Sequence, residues 1–246
     1  MFAFIALAII IGAMAQRVSG MGFALTAAPV LVLLIGPFHG VLLVNLAGAV
    51  SAGIVISRVW RNIDWRQFAL LTIPALIAII PGAYISVLLG GPALQITVGA
   101  ILVVALTISL LIHRAEKVVP RTPAAIMSGV ASGFMSATAG VGGPGVAVYA
   151  VLTRWEHWTF AATIQPFFVM LGLTSFITKV VLSEQGLPDY EWWVWPLVIV
   201  CTLIGLTLGE WVSKIISVRA ARITVIVISY LGGTATIIDG LFDALG

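Results

Sequence analysis

VSGMGFALTAAP, residues 18–29, returns as TAGVGGPGVAVY, residues 138–149. At this offset of 120, Gly20 aligns with Gly140, Gly22 with Gly142 and Ala27 with Ala147. Each copy sits inside an apolar run. Glycine there frees the backbone to break a helix and lets another group approach closely. Small residues also serve simply to pack membrane helices together. Two breaks in register, one in each half, point instead to the binding site of a transporter.

Composition sets the class. Hydrophobic residues make up 61% of the 246 and charged residues 9%, against roughly 25% charged in soluble domains. Such a chain cannot clothe a soluble surface, so an integral membrane protein is expected, with the lipid bilayer as its partner. Several apolar runs approach the 20 residues that span a bilayer as helix, and none alternates as a membrane strand does. The fold class is therefore all-α and polytopic, a single membrane domain over 1–246. The net charge of +3 sits in short loops, where it reports orientation, and nucleic acid is not an expected partner. The lone Cys201 has no disulfide or metal companions and reads as packing. The first 15 residues imitate a signal peptide, with Ala13-Met14-Ala15 before Gln16. They lack a basic start and recur around residues 124–137, so they are kept as part of the mature protein.

Five apolar segments fill each half: 2–15, 18–35, 38–57, 67–89 and 94–112, then 123–138, 142–153, 158–182, 191–213 and 223–239. Residues 1–112 and 123–246 form two repeats joined by HRAEKVVPRTP, residues 113–123. Farther along, at an offset of 127, Gly82 meets Gly209, Ser86 meets Ser213 and Thr107 meets Thr234. The seven added residues fall in SEQGLPDYE, residues 183–191.

Charge orders the halves. Basic residues cluster at Arg58/Arg61/Arg66, at Arg114/Lys117/Arg121, at Arg154 and at Lys214/Arg219/Arg222. The positive-inside rule places them in the cytoplasm. Arg121 and Arg154 then share a side, so segments of 16 and 12 residues go in and return as a re-entrant hairpin. Three spans follow. The expected architecture is two inverted repeats, each a short Gly-rich re-entrant hairpin plus three transmembrane helices, with both termini outside. The hairpin tips, 19–22 and 138–144, meet near the midplane. Each starts a half-helix whose free N–H groups and positive dipole end form an anion site.

The candidate substrate-binding residues are Arg17, Ser19, Gly20, Gly22, Asn45, Thr138, Gly140, Gly142, Gly143, Pro144 and Gln165. Arg17 is an intramembrane anion ligand if the hairpin is re-entrant, and a cytoplasmic topology marker if the first segment crosses. Asn45 and Gln165, equivalent at the 120 offset, bond either substrate or a neighbouring helix. Pro144 suits a first helical turn. Glu210 pairs with Lys214 at i+4 or couples protons. His157 is a weaker proton candidate. Lys179 snorkels at the outer interface, where Tyr190, Trp192, Trp193 and Trp195 form an aromatic belt. There are no paired catalytic carboxylates, no Ser-His-Asp set, no phosphate loop and no metal spacing. Neither enzyme nor cofactor is expected.

On the stretches SGMGFALTAAP and AGVGGPGVAVY, the two-half design, and the Gly-x-x-x-Ser pairs at Gly82 and Gly209, the chain resembles the sulfite exporter family, TauE/SafE. Phe23 and Ala24 stand where that family commonly has glycines. The resemblance implies a membrane transporter of sulfite, organosulfonates or related sulfur-containing anions, in the bacterial inner membrane and working as an exporter. Its partner is a small anion, carried by alternating access. An anion channel and a non-transporting scaffold or accessory subunit are the competing readings. Proton or sodium coupling and a homo-oligomer are compatible with the sequence.

Overall fold

The computed structural model describes residues 2–20, 22–112, 119–183 and 192–245. These form ten α-helices: α1 Phe2–Ser19, α2 Gly22–Ile35, α3 Pro37–Val59, α4 Trp65–Leu88, α5 Gly91–Ile112, α6 Arg121–Ala139, α7 Gly143–Leu152, α8 His157–Leu182, α9 Val194–Val212 and α10 Val218–Leu245. There is no β-strand among the described residues. Most of the linker 113–123 and of the acidic loop, with Arg114, Lys117 and Tyr190, lies outside them.

Seven helices, α1, α3, α4, α5, α8, α9 and α10, are long and apolar enough to cross a membrane. At 1.5 Å per residue, α2 and α7 reach only about 21 and 15 Å, short of the roughly 30 Å hydrocarbon core. The first segment is longer than its hydropathy suggests: α1 continues through Gln16 and Arg17 to Ser19. Polar side chains end an apolar run but not a helix. The end is set by Gly20, at φ 87°, whose N–H donates to the Gln16 carbonyl at 2.8 Å.

The surface explains why the chain needs lipid. Ile73, Ile77, Ile80 and Leu88 form an exposed stripe along α4, a patch water would not tolerate on a soluble monomer. The opposite side of α4, with Leu71, Ala75, Ile79 and Ala83, is buried. Where helices approach most closely, the seams use small residues, because tight seams need them.

Two seams match across the halves. A Cβ on Gly82 of α4 would meet the Phe134 carbonyl of α6 at 2.8 Å and Ala137 Cβ at 3.1 Å. A Cβ on Gly209 of α9 would meet Met14 Cα of α1 at 3.0 Å and Arg17 Cβ at 2.7 Å. Met14 and Arg17 precede Phe134 and Ala137 by 120 residues, and Gly82 precedes Gly209 by 127. In both seams the helices run parallel. Helices α5 and α10 run antiparallel, as do α3 and α8: Gln95 of α5 bonds Asp239 of α10, while Thr107 bonds Tyr230. Asn45 of α3 lies against Gly172 of α8, and Gly53 against Val169.

The helix ends gather on two faces. Arg58 at the end of α3 bonds Glu210 near the end of α9. The Asp64 N–H at the start of α4 donates to Thr163 of α8. The Val119 N–H before α6 donates to the Leu152 carbonyl ending α7. This is the basic face, with Arg61, Arg66, Arg121, Arg154, Lys214, Arg219 and Arg222 at adjoining ends. The opposite face carries exposed Trp192, with Trp193 edge-on to Phe2 at 5.1 Å and Trp195 near Phe176 at 6.4 Å.

Filling either matched seam should destabilise the fold by a similar amount. Gly82→Leu and Gly209→Leu should each cost about 1–3 kcal/mol by overpacking. Lipid-facing Ile77→Ala should stay within about 0.5 kcal/mol. Thermal unfolding in detergent reads all three. Equal melting temperatures for Gly82→Leu and wild type would contradict the seam.

Candidate functional site

The two repeated glycines do the same job. Gly20 and Gly140 both adopt left-handed backbone, at φ 87° and 73°, which L side chains disfavour. The Gly140 N–H donates to the Ser136 carbonyl at 2.9 Å, as the Gly20 N–H does to Gln16. The chain then restarts as α2 at Gly22 and as α7 at Gly143, with Gly142 as N-cap and Pro144 in the first turn. No side chain caps the first amides of α7.

Both new helix starts face one central cavity of about 50 Å³. Phe23 and Ala24 of α2 and Gly142 and Gly143 of α7 border it, with Gln16, Asn45 and Ser136 as its polar lining. Gly140 also borders it. Phe168 and Leu171 of α8 make an apolar wall. Converging N-termini give this cavity a positive potential without a formal charge.

Asn45 bonds across helices. Its amide donates to the Ser136 carbonyl at 3.1 Å, and its oxygen accepts from Ser136 Oγ at 3.1 Å. Ser175 Oγ donates to Ser136 Oγ at 3.3 Å. This network locks the last turn of α6 to α3 and α8. Gln165 is less committed. Its Nε2 donates to the Ala161 carbonyl at 3.0 Å, and its buried Oε1 has no partner.

Gln165 lines a second cavity, a vestibule of about 280 Å³, with Arg17, Gly20, Arg58 and Glu210. Gln16 borders both cavities and forms their shared wall. Arg58 donates to Glu210 at 3.0 Å, and Arg17 lies 3.5 Å from the other carboxylate oxygen. The Glu210 carboxylate therefore meets Arg58 and Arg17 rather than Lys214. Two guanidiniums brought together by α1 and α3 outweigh one exposed i+4 lysine. Two cations against one anion leave the vestibule net positive.

Other candidates lie elsewhere. Ser19, Pro144 and His157 border a third cavity of about 370 Å³ along α7, with Arg154 and Arg222. Thr138 is fully buried and donates to the Phe134 carbonyl at 2.8 Å. Gly22 packs against the end of α1, where a Cβ would meet Ser19 Oγ at 2.7 Å and the Ala15 carbonyl at 2.9 Å. Gln16 is the residue that sequence reasoning passed over. Its signal was present: Gln16 and Ser136 are polar residues four places before the repeated glycines, in register. Lys179 does not snorkel. It is fully buried, with Nζ 4.7 Å from the Phe38 ring centroid.

The two tips should differ in tolerance. Alanine at either glycine meets left-handed backbone strain of about 1–2 kcal/mol. At Gly140 the new Cβ also lies 3.2 Å from Val44, whereas at Gly20 nothing stands within 4 Å. Gly140→Ala should lower the melting temperature more than Gly20→Ala. The reverse order would contradict this packing.

The chain was also compared with known proteins. A family profile described as sulfite exporter TauE/SafE matches residues 4–236. No curated protein and no solved structure matches the chain. The match runs through both glycine breaks, the central cavity and the vestibule, and on that extent the chain belongs to the sulfite exporter TauE/SafE family.

Proposed function

We propose that the protein is a secondary transporter that exports a sulfur-containing anion, sulfite or a sulfonate, by alternating access around the central cavity. One observation carries this reading: in a chain of the exporter family, two helix N-termini border a single cavity enclosed among the apolar helices. Their amides suit an oxyanion. Gln16 adds an amide at the neck, and Arg17 draws anions into the vestibule.

The two halves, 1–112 and 123–246, are inverted repeats in this reading. The antiparallel pairing of α3 with α8 and of α5 with α10 supports it, as do the matched seams at Gly82 and Gly209. By the positive-inside rule the basic face is cytoplasmic, in a bacterial inner membrane. The conformation is then the one open to the cytoplasm, ready to load an anion for export. Glu210 sits between two guanidiniums and holds the vestibule walls together.

Flux in proteoliposomes tests the proposal, with sulfite, a taurine-like sulfonate and a longer sulfonate in turn. Saturable flux of one of them is expected. Gly142→Leu should abolish it, because even a Cβ there would lie 2.7 Å from Leu171 and 3.1 Å from the Ser132 carbonyl. Arg17→Gln should raise KM about tenfold, the loss of one charged contact. Flux that never saturates would replace the carrier by a channel. No flux of any sulfur anion would overturn the substrate class.

A further inference from the structure

Lys179 is buried where a lysine is expensive. It is 0% exposed, and its Nζ has no hydrogen-bond partner. Among the described residues, every other lysine and arginine lies on the basic face or in the vestibule beneath it. Lys179 lies toward the Trp192 face, near the end of α8. Fourteen residues separate it from Gln165, about 21 Å along the same helix.

The repeat relation says what this position is. Through the 120 and 127 offsets, Val59, Trp158, Gln165 and Glu210 of the vestibule correspond to Lys179, Phe38, Asn45 and Ala83. The first set borders open space. Three of the second set are packed shut, Lys179 at 0% exposed, Phe38 at 6% and Ala83 at 0%, while Asn45 turns to the central cavity. The Phe38 ring covers the Lys179 ammonium, an attraction between cation and π-face. The molecule is thus open at one place and closed at its symmetry-related counterpart.

The charges balance in the same way. The open vestibule holds Arg17 and Arg58 against Glu210, a net charge of +1. The counterparts of Arg17 and Glu210 are Ala137 and Ala83. Lys179 alone would give the closed counterpart +1 as well. An anion path needs a positive mouth at each end, with no unpaired carboxylate to repel the anion.

We propose that Lys179 is the anion-binding residue of a second vestibule on the Trp192 face, closed in this conformation, that opens as the first one shuts. Its ligand is the transported oxyanion, held by a charged hydrogen bond to Nζ. Phe38 is the covering residue that the anion displaces. This inference rests on the transport reading above.

Two measurements on the full chain test it, in vesicles of defined orientation. The first uses Lys179→Cys in a Cys201→Ala background, with a charged, membrane-impermeant thiol reagent added at the Trp192 face. Complete modification is expected, roughly 10- to 100-fold slower than at Trp192→Cys, because the open state is a minor one. No modification while Trp192→Cys reacts fully would overturn the proposal. The second measures flux. Lys179→Met should raise KM for the anion at the Trp192 face about tenfold and leave KM at the basic face within about twofold. Lys179→Arg should restore the Trp192-face value. An unchanged KM in Lys179→Met, with wild-type flux intact, would sink this inference and leave the transport reading standing. A wild type that carries no sulfur anion would sink the transport reading, and this proposal with it.

Discussion

A backbone amide left unbonded in hydrocarbon is among the costliest features a membrane protein can carry. The two breaks at Gly20 and Gly140 each free a turn of such amides. They are tolerated because both breaks lie against cavities walled by protein, Gly140 at the central cavity and Gly20 at the vestibule, not against lipid. The rest of the molecule serves that condition. Small residues at Gly82 and Gly209 let α4 and α9 clasp the two hairpins. The Asn45–Ser136–Ser175 network fixes one tip in place. The long helices α3 and α8 cross at the centre and supply the cavity's side walls.

The same condition turns structure into function. Amides that cannot be satisfied by their own helix are donors for something else. With two helix starts along one cavity, a partner that is negative and rich in oxygen would suit the site we propose. A sulfur oxyanion offers several acceptors to amides that arrive from different directions. In the proposed transport reading its charge would be met by dipoles at the centre and by guanidiniums at the mouth, with no formal charge buried beside it.

Much of this was legible in the sequence. The repeated glycines were, because only glycine readily takes the left-handed turn that ends α1 and α6. The ten segments were, because lipid demands long apolar runs. The helix ends were less so: Gln16 and Arg17 interrupt hydropathy without interrupting hydrogen bonding, so the apolar segment stops at 15 while α1 runs on to Ser19. The i+4 spacing that makes Lys214 a partner for Glu210, beside a proton-coupling role, is visible in one dimension. Arg58, 152 positions away in sequence, is not. The sequence suggests that Lys179 snorkels, because a lysine near a helix end usually reaches water. Its burial under Phe38 follows from packing between halves that no single segment encodes.

Selenite carries selenium in place of sulfur in the sulfite framework and scatters anomalously. A crystal of the protein grown with selenite would show directly where the anion rests. The account predicts one anomalous peak in the central cavity, within hydrogen-bond distance of the Gly143 amide and the Gln16 side chain. A peak only in the groove between Arg154 and Arg222, with the central cavity empty, would contradict it.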